Sequence, residues 1–173
     1  MKVLFDLDGV LLDSESDLSW LKRALSKTLK EFNIENTEEN RCKLYPKKVK
    51  NFRETCRDFN VNPKNLWRSR NENYIKEKIK AMEDEIIKPY PEVKNLYNLN
   101  KHQLGIISNS PQRVLDKFIE QFDYNDLFKA WVGRGSNLED LKYIKPNTYL
   151  FEMIKQEIGE GEFIYIGDTE NDR

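Results

Sequence analysis

Histidine and cysteine are nearly absent from this 173-residue chain, with one of the first and two of the second. The lone His102 has no second histidine with which to build a metal centre, and no Ser-His-Asp pattern forms around it. It is expected to be an incidental surface residue. Cys42 and Cys56 lack CxxC spacing, which excludes a zinc ribbon and a disulfide framework and points to a reducing compartment. Long hydrophobic runs are missing as well, and none approaches the roughly 20 residues that span a bilayer. Neither charge dominates: 29 basic against 30 acidic residues leave a net charge of -1. No global field then recruits nucleic acid or a membrane surface, and neither is expected as a partner. Met1 leads straight into a strand pattern without a cleavage region, unlike a secretory leader. A cytoplasmic protein is expected.

Four short apolar runs are present: "KVLFDLD" at 2–8, "QLGIISN" at 103–109, "KAWVG" at 129–133 and "EFIYIGD" at 162–168. They are continuous rather than alternating, as strands of a parallel sheet covered on both faces are. Helical patterns separate them. Ser110 and Pro111 read as cap and first position of a helix carrying Val114, Leu115, Phe118, Ile119 and Phe122. Pro146 reads as the start of another, with Leu150, Met153, Ile154 and Ile158. The alternation implies an α/β, doubly wound parallel sheet whose active groups gather at the carboxyl ends of the strands.

Residues 14–88 break this rhythm with helix signal alone. Leu18, Leu21, Leu25, Leu29 and Phe32 form one apolar stripe; Val49, Phe52, Cys56 and Phe59 form a second; Ile75, Ile79, Met82 and Ile86 form a third. Asn62-Pro63 supplies a cap and a first-turn proline before the last of these. The expected organisation is a core of 1–13 and 89–173 with a helical insert at 14–88. Charge divides along the same line, with 18 Lys and Arg against 13 Asp and Glu in the insert and 11 against 17 in the remainder. Two such parts attract each other, hold an anion between them, or simply present solvated helix faces.

The strand ends carry the chemistry. The first ends in Asp6-Leu7-Asp8-Gly9, with both carboxylates on one side of the strand; the second ends in Ser108-Asn109. After the third come Lys145-Pro146, and the fourth ends in "GDTEND" with Asp168 and Asp172. Carboxylates gathered on one edge repel unless a cation neutralises them, and oxygen ligands without His or Cys select a hard ion, above all Mg²⁺. A lysine and a hydroxyl beside that ion suit a phosphoryl group. One aspartate is then able to attack phosphorus while the other moves protons.

"FDLDGVLLDS", "IISNS", "IKP" and "YIGDTEND" together resemble the four signature motifs of the haloacid dehalogenase superfamily, in particular its phosphatase branch. The resemblance implies a doubly wound core with a helical cap (C1-type) inserted after the first motif. It implies Asp6 as nucleophile and Asp8 as general acid/base, whose backbone carbonyl also binds Mg²⁺. Ser108 and Lys145 correspond to phosphate ligands, Lys145 also orienting Asp6, and Asn109 offers its backbone amide near the phosphate. Asp168 corresponds to the acidic metal ligand and Asp172 to its supporting carboxylate. The metal set is thus Asp6, Asp8, Asp168 and Asp172, and the expected activity is Mg²⁺-dependent hydrolysis of a small phosphorylated metabolite through an aspartyl-phosphate. The alternatives are a phosphomutase, which usually carries a His in the stretch read here as "SESDLSW", or a non-catalytic family member acting as a binding subunit. Members usually continue past the fourth motif with a further helix and strand. The end at Arg173 therefore leads us to expect an open sheet edge or face and self-association through it.

Overall fold

The structure is a computed structural model that describes residues 1–46 and 48–168. Its central strand is β1 (Lys2–Phe5), flanked by parallel strands on both sides. The four-stranded sheet has the order β5-β4-β1-β6, with β4 at Gln103–Pro111, β5 at Ala130–Arg134 and β6 at Phe163–Ile166. The β1 side chains alternate between the faces. Val3 and Phe5 pack with Leu104, Ile106 and the buried side of α5 (Gln112–Gln121), whereas Leu4 packs with Ile107, Val132 and the buried side of α6 (Tyr149–Ile158). Helices thus lie on both faces, and the chain passes from one side of β1 to the other between β5 and β6. That reversal opens a crevice at the carboxyl end of β1.

A two-stranded antiparallel ribbon joins β2 (Leu12–Asp13) to β3 (Lys88–Pro89) and brings the two connections of the intervening helices together. Between them run α1 (Ser19–Glu31), α2 (Glu38–Lys43), α3 (Val49–Asp58) and α4 (Pro63–Glu83). Asn62 caps α4, its side chain accepting from the backbone N–H of Lys64 and Asn65, with Pro63 in the first turn. Leu25, Leu29, Phe52, Cys56 and Trp67 form a cluster of their own that also takes in Leu138 and Leu141. Trp20, Tyr74, Ile75 and Met82 instead join the core built on β1 and α5. α1 and α4 are further tied by polar contacts, Arg23 Nε donating to Glu77 at 2.9 Å and Asn73 to Thr28 at 3.1 Å.

Several local expectations change. α5 begins at Gln112 because β4 continues through a register shift to Pro111, which leaves Pro111 as the N-cap and Ser110 in the strand. Pro146 lies ahead of α6, after a cis Lys145-Pro146 bond, and Thr148 is the N-cap. α4 stops at Glu83, which leaves Ile86 exposed, and Leu18 and Met153 are exposed as well. β6 is an edge strand among the described residues, and its Ile164 and Ile166 are exposed. Among the described residues no helix is long and apolar enough to cross a membrane.

The two thiols lie in contrasting surroundings. Cys42 is exposed; Cys56 is buried and pushed up to about 11 by that burial. A thiolate-directed alkylating reagent at neutral pH is therefore expected to label only Cys42 in the folded protein and both cysteines after denaturation. Mass spectrometry of the tryptic peptides checks this, and rapid labelling of Cys56 in the native state would contradict the packing described.

Candidate active site

Parallel packing puts Asp6, at the end of β1, between the ends of β4 and β6. After Asp6 the chain coils through a tight loop, in which Leu11 and Leu12 donate their N–H groups to the Leu7 carbonyl, before entering β2. Gly9 is needed in this loop. Its φ is +74°, and a Cβ there would collide with the Asp168 carboxylate. The same contact places Asp168 against the turn that carries Asp6 and Asp8.

Asp6 is buried. One carboxylate oxygen accepts from the Leu7 N–H at 2.7 Å, and the other lies 2.6 Å from Lys145 Nζ. Lys145 is held in turn. Its Nζ donates to the Tyr165 hydroxyl at 2.6 Å, and its backbone N–H donates to Asn109 Oδ1 at 2.8 Å. The Asn109 side chain thus clamps the backbone of Lys145. Ser108 is buried beside Asp6, its hydroxyl accepting from the Ser110 N–H at 3.1 Å.

The partner of Asp8 comes from α4. Lys78 Nζ forms an ion pair with Asp8 Oδ1, Ser14 Oγ donates to the same oxygen at 2.7 Å, and Ser110 Oγ donates to Oδ2 at 2.7 Å. Lys78 also donates to Ser110 Oγ at 2.9 Å and lies 5.2 Å above the Trp20 ring. Burial opposes the charged form of Asp8, but the Lys78 ammonium and the two hydroxyls outweigh it and hold the carboxyl below the usual carboxylate range. Burial likewise opposes the charge on Lys78, yet Asp8 keeps it above the ordinary lysine value.

Asp6, Asp8, Ser108, Asn109, Lys145 and Asp168 line one cavity of about 160 Å³ together with Tyr45, Tyr74 and Ser110, and Lys78, Ser14 and Tyr165 stand behind its wall as partners of these groups. Asp172 lies outside the described residues. Sequence reasoning missed Lys78, Ser14, Ser110 and Tyr165. One signal was available for Lys78: it falls four residues after Tyr74 and eight after Arg70, which sets the three on one side of the helix. Elsewhere in the insert, Arg53 pairs with Glu139 at the surface, and it lines a groove there with Arg57 and Arg68, away from this cavity.

The donor set suits a hard cation without forming a closed cage. Among the described residues no three carboxylate, imidazole or thiolate side chains converge on a ready-made metal site. The Asp8 carboxylate is occupied by Lys78, Ser14 and Ser110, so only its backbone carbonyl is left for a metal. Asp6, Asp168 and that carbonyl match the needs of Mg²⁺, which takes one or two carboxylates and keeps waters and substrate oxygens for the rest.

A doubly wound parallel sheet with two aspartates, a serine and a lysine at its carboxyl edge defines a class of hydrolytic enzyme core, and comparison with known proteins agrees. The family described as haloacid dehalogenase-like hydrolase matches residues 3–173, and the chain belongs to it. A phosphoglycolate phosphatase of Aquifex aeolicus (strain VF5) is 28% identical over 177 residues, covering 98% of this chain and 76% of the relative. A structure from Clostridium acetobutylicum described as a predicted phosphatase superposes with a TM-score of 0.68 at 22% identity, covering 99% of this chain and 77% of that one. A CbbY variant from Rhodobacter sphaeroides in complex with xylulose-(1,5)bisphosphate gives 0.69 at 14% identity, covering 98% and 78%.

The Asp8–Lys78 contact makes a measurable claim. Lys78 is fully buried and Asp8 partly so, and removing the carboxylate strands the ammonium. A double-mutant cycle with Lys78→Met and Asp8→Asn, read by urea unfolding, is expected to give a coupling energy of about 1–3 kcal/mol. Additive losses would mean that the pair is not formed in solution.

Proposed function

We infer that the protein is a Mg²⁺-dependent phosphatase that hydrolyses a small phosphorylated metabolite through an aspartyl-phosphate on Asp6. One observation carries this reading: Asp6 and Lys145 lie 2.6 Å apart in a cavity that also holds Asp8, Ser108 and Asp168. Lys145 draws negative charge from the Asp6 oxygen and repels nothing that a phosphoryl group brings, so it is placed to bind one phosphoryl oxygen while Asp6 attacks phosphorus. The Ser108 hydroxyl and the Asn109 backbone amide serve the remaining oxygens. Asp6, the Asp8 carbonyl and Asp168, with Asp172 in support, would hold Mg²⁺, which when bound screens the carboxylates from the phosphate and polarises a phosphoryl oxygen. Asp8 acts as the general acid/base: protonated as the anionic substrate enters beside it, it gives that proton to the leaving oxygen, and the carboxylate so formed takes a proton from the water that splits the phosphoenzyme. Its ionised state beside Lys78 is the one required for that second step. On this reading 1–13 and 89–168 form part of the catalytic core, and 14–88 is a C1-type cap that supplies Lys78 and Tyr74 to the site and helps exclude water.

Two experiments test this. Turnover of an aryl phosphate is expected to vanish in EDTA and return with Mg²⁺, and Asp168→Ala should behave like the chelated enzyme; full activity without metal would sink the proposal. In the second, each aspartate variant is mixed with acetyl phosphate and Mg²⁺ and weighed by mass spectrometry. Asp6→Asn should acquire no phosphoryl adduct, because an amide is a poor nucleophile. Asp8→Asn should accumulate one that decays slowly, since general base assistance is worth roughly 10²–10⁴-fold. The reverse pattern would exchange the two roles.

A further inference from the structure

A second cavity of about 430 Å³ adjoins the first and shares Tyr45, Tyr74, Asn109 and Lys145 with it. The two differ in charge. The first contains Asp6, Asp8, Glu15 and Asp168 beside Lys145. Among the described residues lining the second there is no acid, only four cationic side chains: Lys48, Arg70, Arg134 and Lys145.

Arg70 and Arg134 are the unusual members, at 4% and 5% exposed. Arg70 Nε donates to the Leu44 carbonyl at 3.1 Å, and its guanidinium lies 4.8–5.3 Å from the ring centres of Tyr45, Trp67 and Tyr74. That aromatic cage accounts for its position. It leaves both terminal nitrogens without an acceptor among the described residues. Arg134, at the carboxyl end of β5, donates to the Gly135 carbonyl at 2.9 Å and to Asn71 Oδ1 at 2.8 Å, and it lies 5.3 Å from the centre of the Trp67 ring. Burial and the like charge of Arg70 push Arg134 down to about 10. No carboxylate among the described residues pairs with either guanidinium. Asp140 acts on Arg134 only from beyond ion-pair distance; two buried like charges with no contacting counter-ion are costly, and a planar fork with unused N–H groups matches carboxylate or phosphate oxygens. Tyr74 bridges the cavities: its ring stacks on Arg70, and its hydroxyl lies 3.4 Å from both Lys78 Nζ and Ser110 Oγ, the partners of Asp8.

We propose that Arg70 and Arg134 form a second anion site, so that the substrate is a phosphomonoester carrying another anionic group, a carboxylate or a second phosphoryl, at its far end. The transferred phosphoryl group sits at Asp6 and the second anion in the adjoining cavity, one tyrosine side chain away. This rests on the phosphatase reading above and narrows it to a substrate class.

The test compares kcat/KM for 2-phosphoglycolate and for 1,3-propanediol bisphosphate with that for ethyl phosphate, whose tail is neutral. Wild-type protein is expected to favour at least one doubly anionic ester over ethyl phosphate by tenfold or more. Arg70→Met and Arg134→Met should each lower that ratio at least tenfold, mainly through KM. Whichever doubly anionic ester loses more identifies carboxylate or phosphoryl as the second group. A wild type indifferent to tail charge, or variants that lose activity equally on all three esters, would overturn the proposal, since a merely structural role does not move the ratio. Should either variant fail to fold, Arg134→Gln and a turnover-free readout replace it. In that readout, calorimetric titration of the Asp6→Asn protein with the same esters should show tenfold tighter binding of a doubly anionic one, and adding Arg134→Gln should abolish the difference. That binding difference without turnover of any ester would sink the phosphatase reading and keep the anion site. Turnover of ethyl phosphate with no charge preference would do the opposite.

Discussion

The structure depends on placing two aspartates at the end of a buried central strand without leaving their charges bare. An uncompensated carboxylate in such surroundings costs several kcal/mol. Each has its own ammonium instead: Lys145 for Asp6, from the segment ahead of α6, and Lys78 for Asp8, from α4. The two lysines are 67 positions apart, so the turn after β1 forms its native charge balance only when both distant segments are in place. Asn109 holding the Lys145 backbone, and Ser14 and Ser110 holding the Asp8 carboxylate, belong to the same requirement.

This arrangement explains why the helices at 14–88 are not a loosely tethered appendage. They share the apolar core through Trp20, Tyr74, Ile75 and Met82, and their most buried cation is spent on an aspartate of the core. Charge also separates at short range. The acidic cavity lies against the strand ends and the cationic one lies between α4 and β5, with Lys145 on the wall of both. On the proposed reading a hard cation belongs to the first and an anion to the second, and a doubly anionic ester would bridge them.

The sheet was legible because its signal is local. Short, continuous apolar runs bounded by Gly, Asn and Asp point to covered parallel strands, and the residues at their ends follow from the fold class without knowledge of any contact. Asn62-Pro63 marks a helix start for an equally local reason, since the cap and the proline act on the next turn alone. Ser110 was misread because Ser before Pro is a sound helix start by itself. Only the pairing of Pro111 with Arg134 and the pull of Asp8 on the hydroxyl keep it in the strand. Lys78 was passed over for a related reason. A lysine on a helix is normally a solvated residue, and what buries it is a carboxylate 70 positions earlier.

The buried polar residues of α4 are the part of the molecule that local patterning describes least well. Arg70, Tyr74 and Lys78 fall four residues apart and therefore lie along one side of the helix, one turn above another. Neighbouring Asn73 and Glu77 fall on an adjacent strip and face α1 instead, where Glu77 takes Arg23 and Lys27. The second strip fixes how α4 seats on α1, and that seating sets the direction of the first. Arg70 at one end of the stripe faces the cationic cavity, Lys78 at the other holds Asp8, and Tyr74 touches the surroundings of both. A rigid helix cannot reposition one end of such a stripe without carrying the other. On the proposed reading, one side of α4 therefore serves both ends of the substrate, with Arg70 turned to its distal anion and Lys78 to Asp8 beside the reacting phosphoryl group.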